Sequence, residues 1–290
     1  MIHSEIYKML EKYPTVSPLD SRNALKEIIQ EVTLHTLSKT DFFLHAAFYG
    51  GTALRIFYGL DRFSGDMGFS LKAKESTFDL QSYLPAIEKG LASYGFEMYA
   101  YHKFKQQVSP VQPAFIKGNT LVHLIKITTQ PPPISGISNN ELIKIKLKID
   151  TDPPKGASYE RKFKLLPQPY SVLLYDKPSL FTGKMHALLC RNWKSREKGR
   201  DYYDYVWYLS ENTPLNIKHL EARMRQTGHW KGENSLTLDL VKEMLYSRFE
   251  KKDYQEVKQD VMPFISDPTK LDVWSKEFFI AITKEHLQAM

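Results

Sequence analysis

Tyr49-Gly50-Gly51-Thr52-Ala53-Leu54-Arg55, followed by Arg62-Phe63-Ser64-Gly65-Asp66-Met67-Gly68-Phe69-Ser70-Leu71, is the stretch whose reading decides the fold. Two glycines and a hydroxyl residue open a predicted helix, where backbone N–H groups and the positive helix end can approach a triphosphate. A carboxylate, Asp66, then follows on a predicted strand. Taken alone, Gly-Gly-Thr is also an ordinary tight turn, so the weight lies on the order of turn, helix and strand carboxylate.

Working outward, residues 19 to 38 place Leu25, Ile28, Ile29, Val32 and Leu37 at helical spacing. The glycine stretch continues as a second helix, and Phe78 to Tyr94 forms a third that stops at Gly95. Phe96 to Phe104, Phe115 to Thr128, Leu142 to Thr151 and Tyr170 to Tyr175 read as strands separated by Pro- and Gly-bearing loops. Beyond Asp176 the strand signals vanish, and helices are predicted at about 178 to 191, 200 to 210, 216 to 226, 236 to 260 and 273 to 288. The expectation is α+β: a sheet with flanking helices over residues 1–176 and a helical bundle over 177–290.

The single cysteine, Cys190, excludes an intrachain disulfide and any multi-cysteine metal site. No signal-peptide pattern and no membrane-length apolar run occurs, so the chain reads as cytoplasmic. Net charge is +7, and residues 141–200 hold 14 Lys and Arg against 6 Asp and Glu, an excess of +8 that is absent from the rest. Such a concentration suits phosphates of a nucleotide or a nucleic acid, and equally a solvated basic surface.

The stretches GGTALRIFYGLDRFS, IDTDPP, SLFTGKMHALLCRNWK and KGRDYYDYVWYLS, spanning residues 49 to 210, together resemble the AbiEii/AbiGii toxin family of the nucleotidyltransferase superfamily. The resemblance implies a nucleotidyltransferase-type sheet. It also implies Mg²⁺-assisted transfer of a nucleotide from an NTP onto RNA, with tRNA as acceptor, and a cognate antitoxin as partner. Asp66 then matches the first metal-binding carboxylate, and Asp150, at the end of a strand where Lys146, Lys148 and Asp150 alternate onto one face, is the candidate for a further one. Gly50, Gly51, Thr52, Lys184 and Arg191 are the candidate nucleotide-binding residues. Lys184 and Arg191 lie seven apart on one predicted helix, with Lys194, Arg196, Lys198 and Arg200 beyond. Asp66 and Lys184 are candidate catalytic residues. So are Asp201 and Asp204, one or the other orienting Lys184 or the acceptor, although carboxylates there also suit a helix start.

Two positions depart from the family pattern. Gly68 stands where the second Asp of Asp-x-Asp is expected, and Lys148 where a Glu is expected. The alternative to an active transferase is therefore a catalytically impaired nucleotide- or RNA-binding module of the same fold, and Gly68→Asp is predicted to strengthen Mg²⁺ binding. Tyr202, Tyr203, Tyr205, Trp207 and Tyr208 surround one helix, where core packing is the main expectation and base stacking by one or two the alternative. No Walker sequence, nucleophile elbow or His-Glu-x-x-His motif is present. Cys190 reads as an inert buried thiol, and His123 and His186 as structural.

Overall fold

The computed structural model describes residues 3–14, 17–102, 111–119, 140–191 and 198–290. Phe104, His123, Thr128, Lys194 and Arg196 fall outside the described residues. Two compact units result: residues 1–57, 64–153 and 161–174 form the first, and 58–63, 154–160 and 175–290 the second. The segments 58–63 and 154–160 thus join the helical unit although they precede it in the chain.

The first unit is built on a seven-stranded mixed sheet in the order β3-β4-β5-β2-β1-β7-β6. Its strands are β1 (Ala46–Tyr49), β2 (Asp66–Leu71), β3 (Tyr99–His102), β4 (Val111–Asn119), β5 (Leu142–Asp150), β6 (Tyr159–Lys164) and β7 (Tyr170–Tyr175). β2 runs antiparallel to β1 and parallel to β5, while β4 is antiparallel to both β3 and β5. In β5 the period-two pattern is nearly perfect: Ile143, Ile145, Leu147 and Ile149 are buried, and Lys144, Lys146, Lys148 and Asp150 take the opposite face. The Tyr-Glu-Arg-Lys-Phe-Lys sequence of β6 escaped the strand reading because such a charged segment suits an edge strand, which is the place it takes.

Besides α1 (Ser4–Leu10), α3 (Phe42–His45) and the short α4 (Gly51–Ala53), this unit has helix α2 (Pro18–Ser38), which starts in a reciprocal capping box of Ser17 and Asp20, with proline in the first turn. It is buried almost all round rather than along one stripe. Several of its polar groups are paired within the unit: Glu27 meets Arg55 and Tyr13, Glu31 meets Lys164, and Gln30 donates to the Ser64 carbonyl. Gly90 of α5 (Leu84–Ser93) allows this packing, since a Cβ there would lie 2.1 Å from Thr36 Oγ1.

The second unit is helical, with α6 (Lys177–Cys190), α7 (Gly199–Ser210), α8 (Ile217–Gln226), α9 (Leu238–Glu250), α10 (Tyr254–Val261) and α11 (Lys276–His286). The single helix expected over 236–260 is two, because Asp253 accepts hydrogen bonds from the Gln255 and Glu256 amides and caps a new start. Tyr202, Tyr203, Tyr205 and Tyr208 are all buried, against Phe249, Phe279, Trp274 and Phe181, which assigns them to the core rather than to a base. Among the described residues no helix is long and apolar enough to cross a membrane.

Candidate active site

In the first unit, β1 ends in the glycine turn. Gly50 adopts φ +89°, a left-handed conformation that explains glycine at that position without any ligand. Gly51–Ala53 form a single α-turn that continues as a π-turn over Leu54–Tyr58. Thr52 is 1% exposed, and its hydroxyl donates to the Asp66 carbonyl and lies 2.8 Å from Ser64 Oγ. The hydroxyl therefore fastens the turn to the start of β2 instead of facing outward.

Asp66 begins β2 with its carboxylate half in water, and Lys148 Nζ lies 2.7 Å from Asp66 Oδ2. The register explains the contact: Lys148 is paired with Gly68, two residues beyond Asp66, and reaches back across a position that has no side chain. Gly68 is not open space, however. A Cβ there would meet the Tyr49 carbonyl oxygen at 3.0 Å and the Tyr49 ring at 3.3 Å, Tyr49 being its partner on β1.

Asp150 pairs with Ser70, four residues along the strands from Asp66. At about 3.3 Å per residue the two α-carbons are offset by about 13 Å along the strands, whereas Mg²⁺ holds each ligand oxygen at about 2.1 Å. The structure does not bring Asp66 and Asp150 together as ligands of one ion. Asp150 Oδ1 instead accepts the Asp152 amide in the turn that follows β5. Of the two candidate ligands, a catalytic Mg²⁺ would meet only Asp66 here, already compensated by an ammonium, and these residues do not fit the ion.

The second unit contains a denser charge cluster. Arg62 and Asp204 are 3% and 0% exposed and form a fork, Nε to Oδ1 at 2.5 Å and Nη2 to Oδ2 at 2.6 Å. Lys184 Nζ, from α6, lies 2.6 Å from Asp204 Oδ2 and 2.7 Å from Asp201 Oδ1. Arg191 adds a looser contact to Asp201 at 3.8 Å. Asp201 and Asp204 come three residues apart on α7, so one helix turn presents both to Lys184. Burial opposes ionisation of Asp201, but the charge and hydrogen bond of Lys184, with Arg191 and Arg62, outweigh it and hold the carboxyl below the usual carboxylate range. Both aspartates thus hold Lys184, and Asp204 divides itself between Lys184 and Arg62.

A family profile described as the nucleotidyl transferase AbiEii toxin of a type IV toxin–antitoxin system matches residues 33–280. The chain belongs to the AbiEii toxin family. Membership carries the nucleotidyltransferase class and implies an antitoxin partner. Among solved structures, JHP933 from Helicobacter pylori shares 14% identity over 91% of this chain and 90% of its own, with a TM-score of 0.49. A second, described as a "putative nucleotidyltransferase from H. pylori", shares 15% identity over 90% and 91%, with a TM-score of 0.45. No curated protein matches the chain.

Arg62 is the participant that the sequence reading did not single out. It sits inside the quoted block, yet its partner Asp204 lies 142 residues away and no local pattern announces the pairing. The basic segment is also redistributed. Lys164, Lys177, Lys184 and Arg200 are paired with Glu31, Glu211, Asp201 with Asp204, and Asp260, so much of its charge is neutralised within the protein. Burial raises the Cys190 thiol to about 11, which keeps it protonated near neutrality. His186 Nε2 lies 2.9 Å from Thr227 Oγ1, and burial, with Arg223 and Arg191 nearby, lowers its pKa to about 3.

Proposed function

We propose that this AbiEii-family chain is a toxin-class protein that binds a nucleoside triphosphate and RNA on a nucleotidyltransferase scaffold whose metal-dependent transfer step is impaired. One observation carries the reading: Asp66 is paired to Lys148 beside a Gly68 that Tyr49 covers. Mg²⁺ in phosphoryl-transfer sites neutralises phosphate charge while anchored by carboxylates. Here Lys148 supplies a fixed positive charge at the same strand pair, and Gly50 and Gly51 contribute backbone donors. Within the second unit, Asp201 and Asp204 position Lys184.

The second reading is a working transferase that moves a nucleotide from an NTP to tRNA. The intact Lys184, Asp201 and Asp204 cluster favours it. Calorimetry with each NTP, with and without Mg²⁺, is combined with incubation of labelled NTPs and total tRNA. NTP affinity that does not require Mg²⁺, with no label entering tRNA, is the expected result. Mg²⁺-dependent labelling of tRNA that disappears in Asp66→Ala overturns impairment and establishes the transferase.

A further inference from the structure

The lysine-bearing face of β3, β4 and β5 has a composition that neither the metal site nor the nucleotide turn explains. Parity and register place Tyr99 and Tyr101 of β3, Phe115 and Lys117 of β4, and Lys144, Lys146 and Lys148 of β5 on one side: Tyr99 pairs with Lys117, Tyr101 with Phe115, Phe115 with Lys146 and Lys117 with Lys144. The other side is apolar and closed, with Ala114, Ile116, Ile143, Ile145 and Leu147 buried and α2 packed against β5. Tyr99 is 74% exposed. Tyr101 and Phe115 are stacked with ring centres 5.6 Å apart, Lys117 Nζ stands 4.9 Å over the Tyr101 ring, and Lys144 Nζ stands 4.3 Å over the Phe115 ring.

A solvated basic surface needs lysines but no rings. An ordinary sheet face turned to water needs neither an exposed tyrosine nor aromatic rings beneath the ammonium groups. Interleaved lysines and aromatics are what a single-stranded nucleic acid requires, because phosphates track the cations and bases lie on the rings. Lysines two residues apart along β5 recur at about 6.6 Å, a spacing comparable to that of successive phosphates in an extended strand. Asp150 is the one carboxylate of β3–β5 on this side among the described residues, and it lies at the far end of β5.

We infer that this face is a docking platform for single-stranded RNA, with Tyr99 and Tyr101 stacking bases and Lys117, Lys144 and Lys146 meeting phosphates. The inference deepens the RNA part of the proposed function by naming its surface, and Gly68–Lys148 lies along the same strands, so an RNA end running down β5 arrives at Asp66.

Fluorescence anisotropy with a labelled 12-nucleotide oligouridylate tests it, using wild type, Tyr99→Ala and Lys117→Glu/Lys144→Glu at two salt concentrations. Polyglutamate serves as the acidic-protein probe, and ATP binding is measured in each variant. The double variant is expected to weaken RNA binding by more than tenfold and to lower the salt slope by about two. Tyr99→Ala is expected to weaken it about tenfold with the slope unchanged. ATP affinity stays at the wild-type value. RNA affinity indifferent to both changes overturns the platform. So does polyglutamate binding as tightly as RNA with Tyr99→Ala without effect, which marks a surface for an acidic protein. A wild type that binds RNA in this way but no ATP refutes the nucleotide reading and leaves the platform standing. ATP binding with RNA insensitive to these variants does the reverse.

Discussion

Two ion clusters hold three of the candidate carboxylates, Asp66 in one and Asp201 with Asp204 in the other, and they differ in the one property that sets their energetics. Asp66 and Lys148 meet on the face of the sheet with side chains 56% and 39% exposed, whereas Asp204 and Arg62 meet at 0% and 3%. In water the gain from pairing is nearly cancelled by hydration, so an exposed pair contributes at most about 1 kcal/mol. In the interior each charge has lost its hydration and depends wholly on its partners, so removing one is costly even where the assembled pair is close to neutral in net energy. The first cluster is therefore free to be rebuilt by substitution, and the second is tied to the fold.

The largest effect that tests this contrast is expected from Arg62→Met, which leaves Asp204 buried with Lys184 alone. Urea unfolding should show a loss of about 3–5 kcal/mol. A loss below 1 kcal/mol would mean that the two clusters do not differ in kind. A double-mutant cycle of Arg62 with Asp204 should likewise give a coupling several times that of Asp66 with Lys148.

Next comes a pH effect. The folded carboxyl of Asp201 lies below its unfolded value, so its contribution is fully present above the unfolded pKa of about 3.9 and is lost as pH falls through the folded one. Stability of the wild type should fall below about pH 4, and Asp201→Asn, though less stable at neutrality, should show a shallower fall there. Parallel acid limbs in urea melts of the two proteins would remove Lys184 and its neighbours as the cause.

A smaller effect concerns position 68. Because Tyr49 lies 3.0–3.3 Å from where a Cβ would be, Gly68→Asp is not the simple restoration that the family pattern suggests, and should cost about 1–2 kcal/mol. Tyr49→Ser in the same chain should recover part of that cost. Lys148→Glu meets no such obstacle and should by itself raise Mg²⁺ affinity measured by calorimetry, since it sets a second carboxylate beside Asp66. If Gly68→Asp is neutral while Lys148→Glu leaves Mg²⁺ binding unchanged, the account of the missing metal site fails.

The smallest change is expected for Lys148→Met, within about 1 kcal/mol of wild type. Thermal melts that place it alongside Arg62→Met would erase the distinction between the clusters.

Much of the fold, and the identity of the residues that make up the candidate site, are legible in the order of residues alone. Tyr170–Tyr175 is a strand as its alternation predicts, α2 covers the helix read over residues 19 to 38 from its apolar spacing, and four spaced blocks carry the family. Gly68 and Lys148 are also readable in the bare sequence, because the identity of a residue within a motif is a local fact. Local pattern also suffices where a side chain answers to its own helix or strand period.

Pairing across the chain is a different matter. That Thr52 turns inward, that Asp150 lies about 13 Å along the strands from Asp66, that Arg62 belongs with Asp204, and that Tyr99 shares a face with Lys144 all follow from register and packing between distant segments. The same holds for charge: residues 141–200 carry an excess of +8 as a string, but the folded chain neutralises part of it inside and sets Lys144, Lys146 and Lys148 on one sheet face. Residue order determines how many charges there are and what period they follow. Only the tertiary structure decides which of them keep water as their partner, because desolvation depends on neighbours that the order of residues does not name.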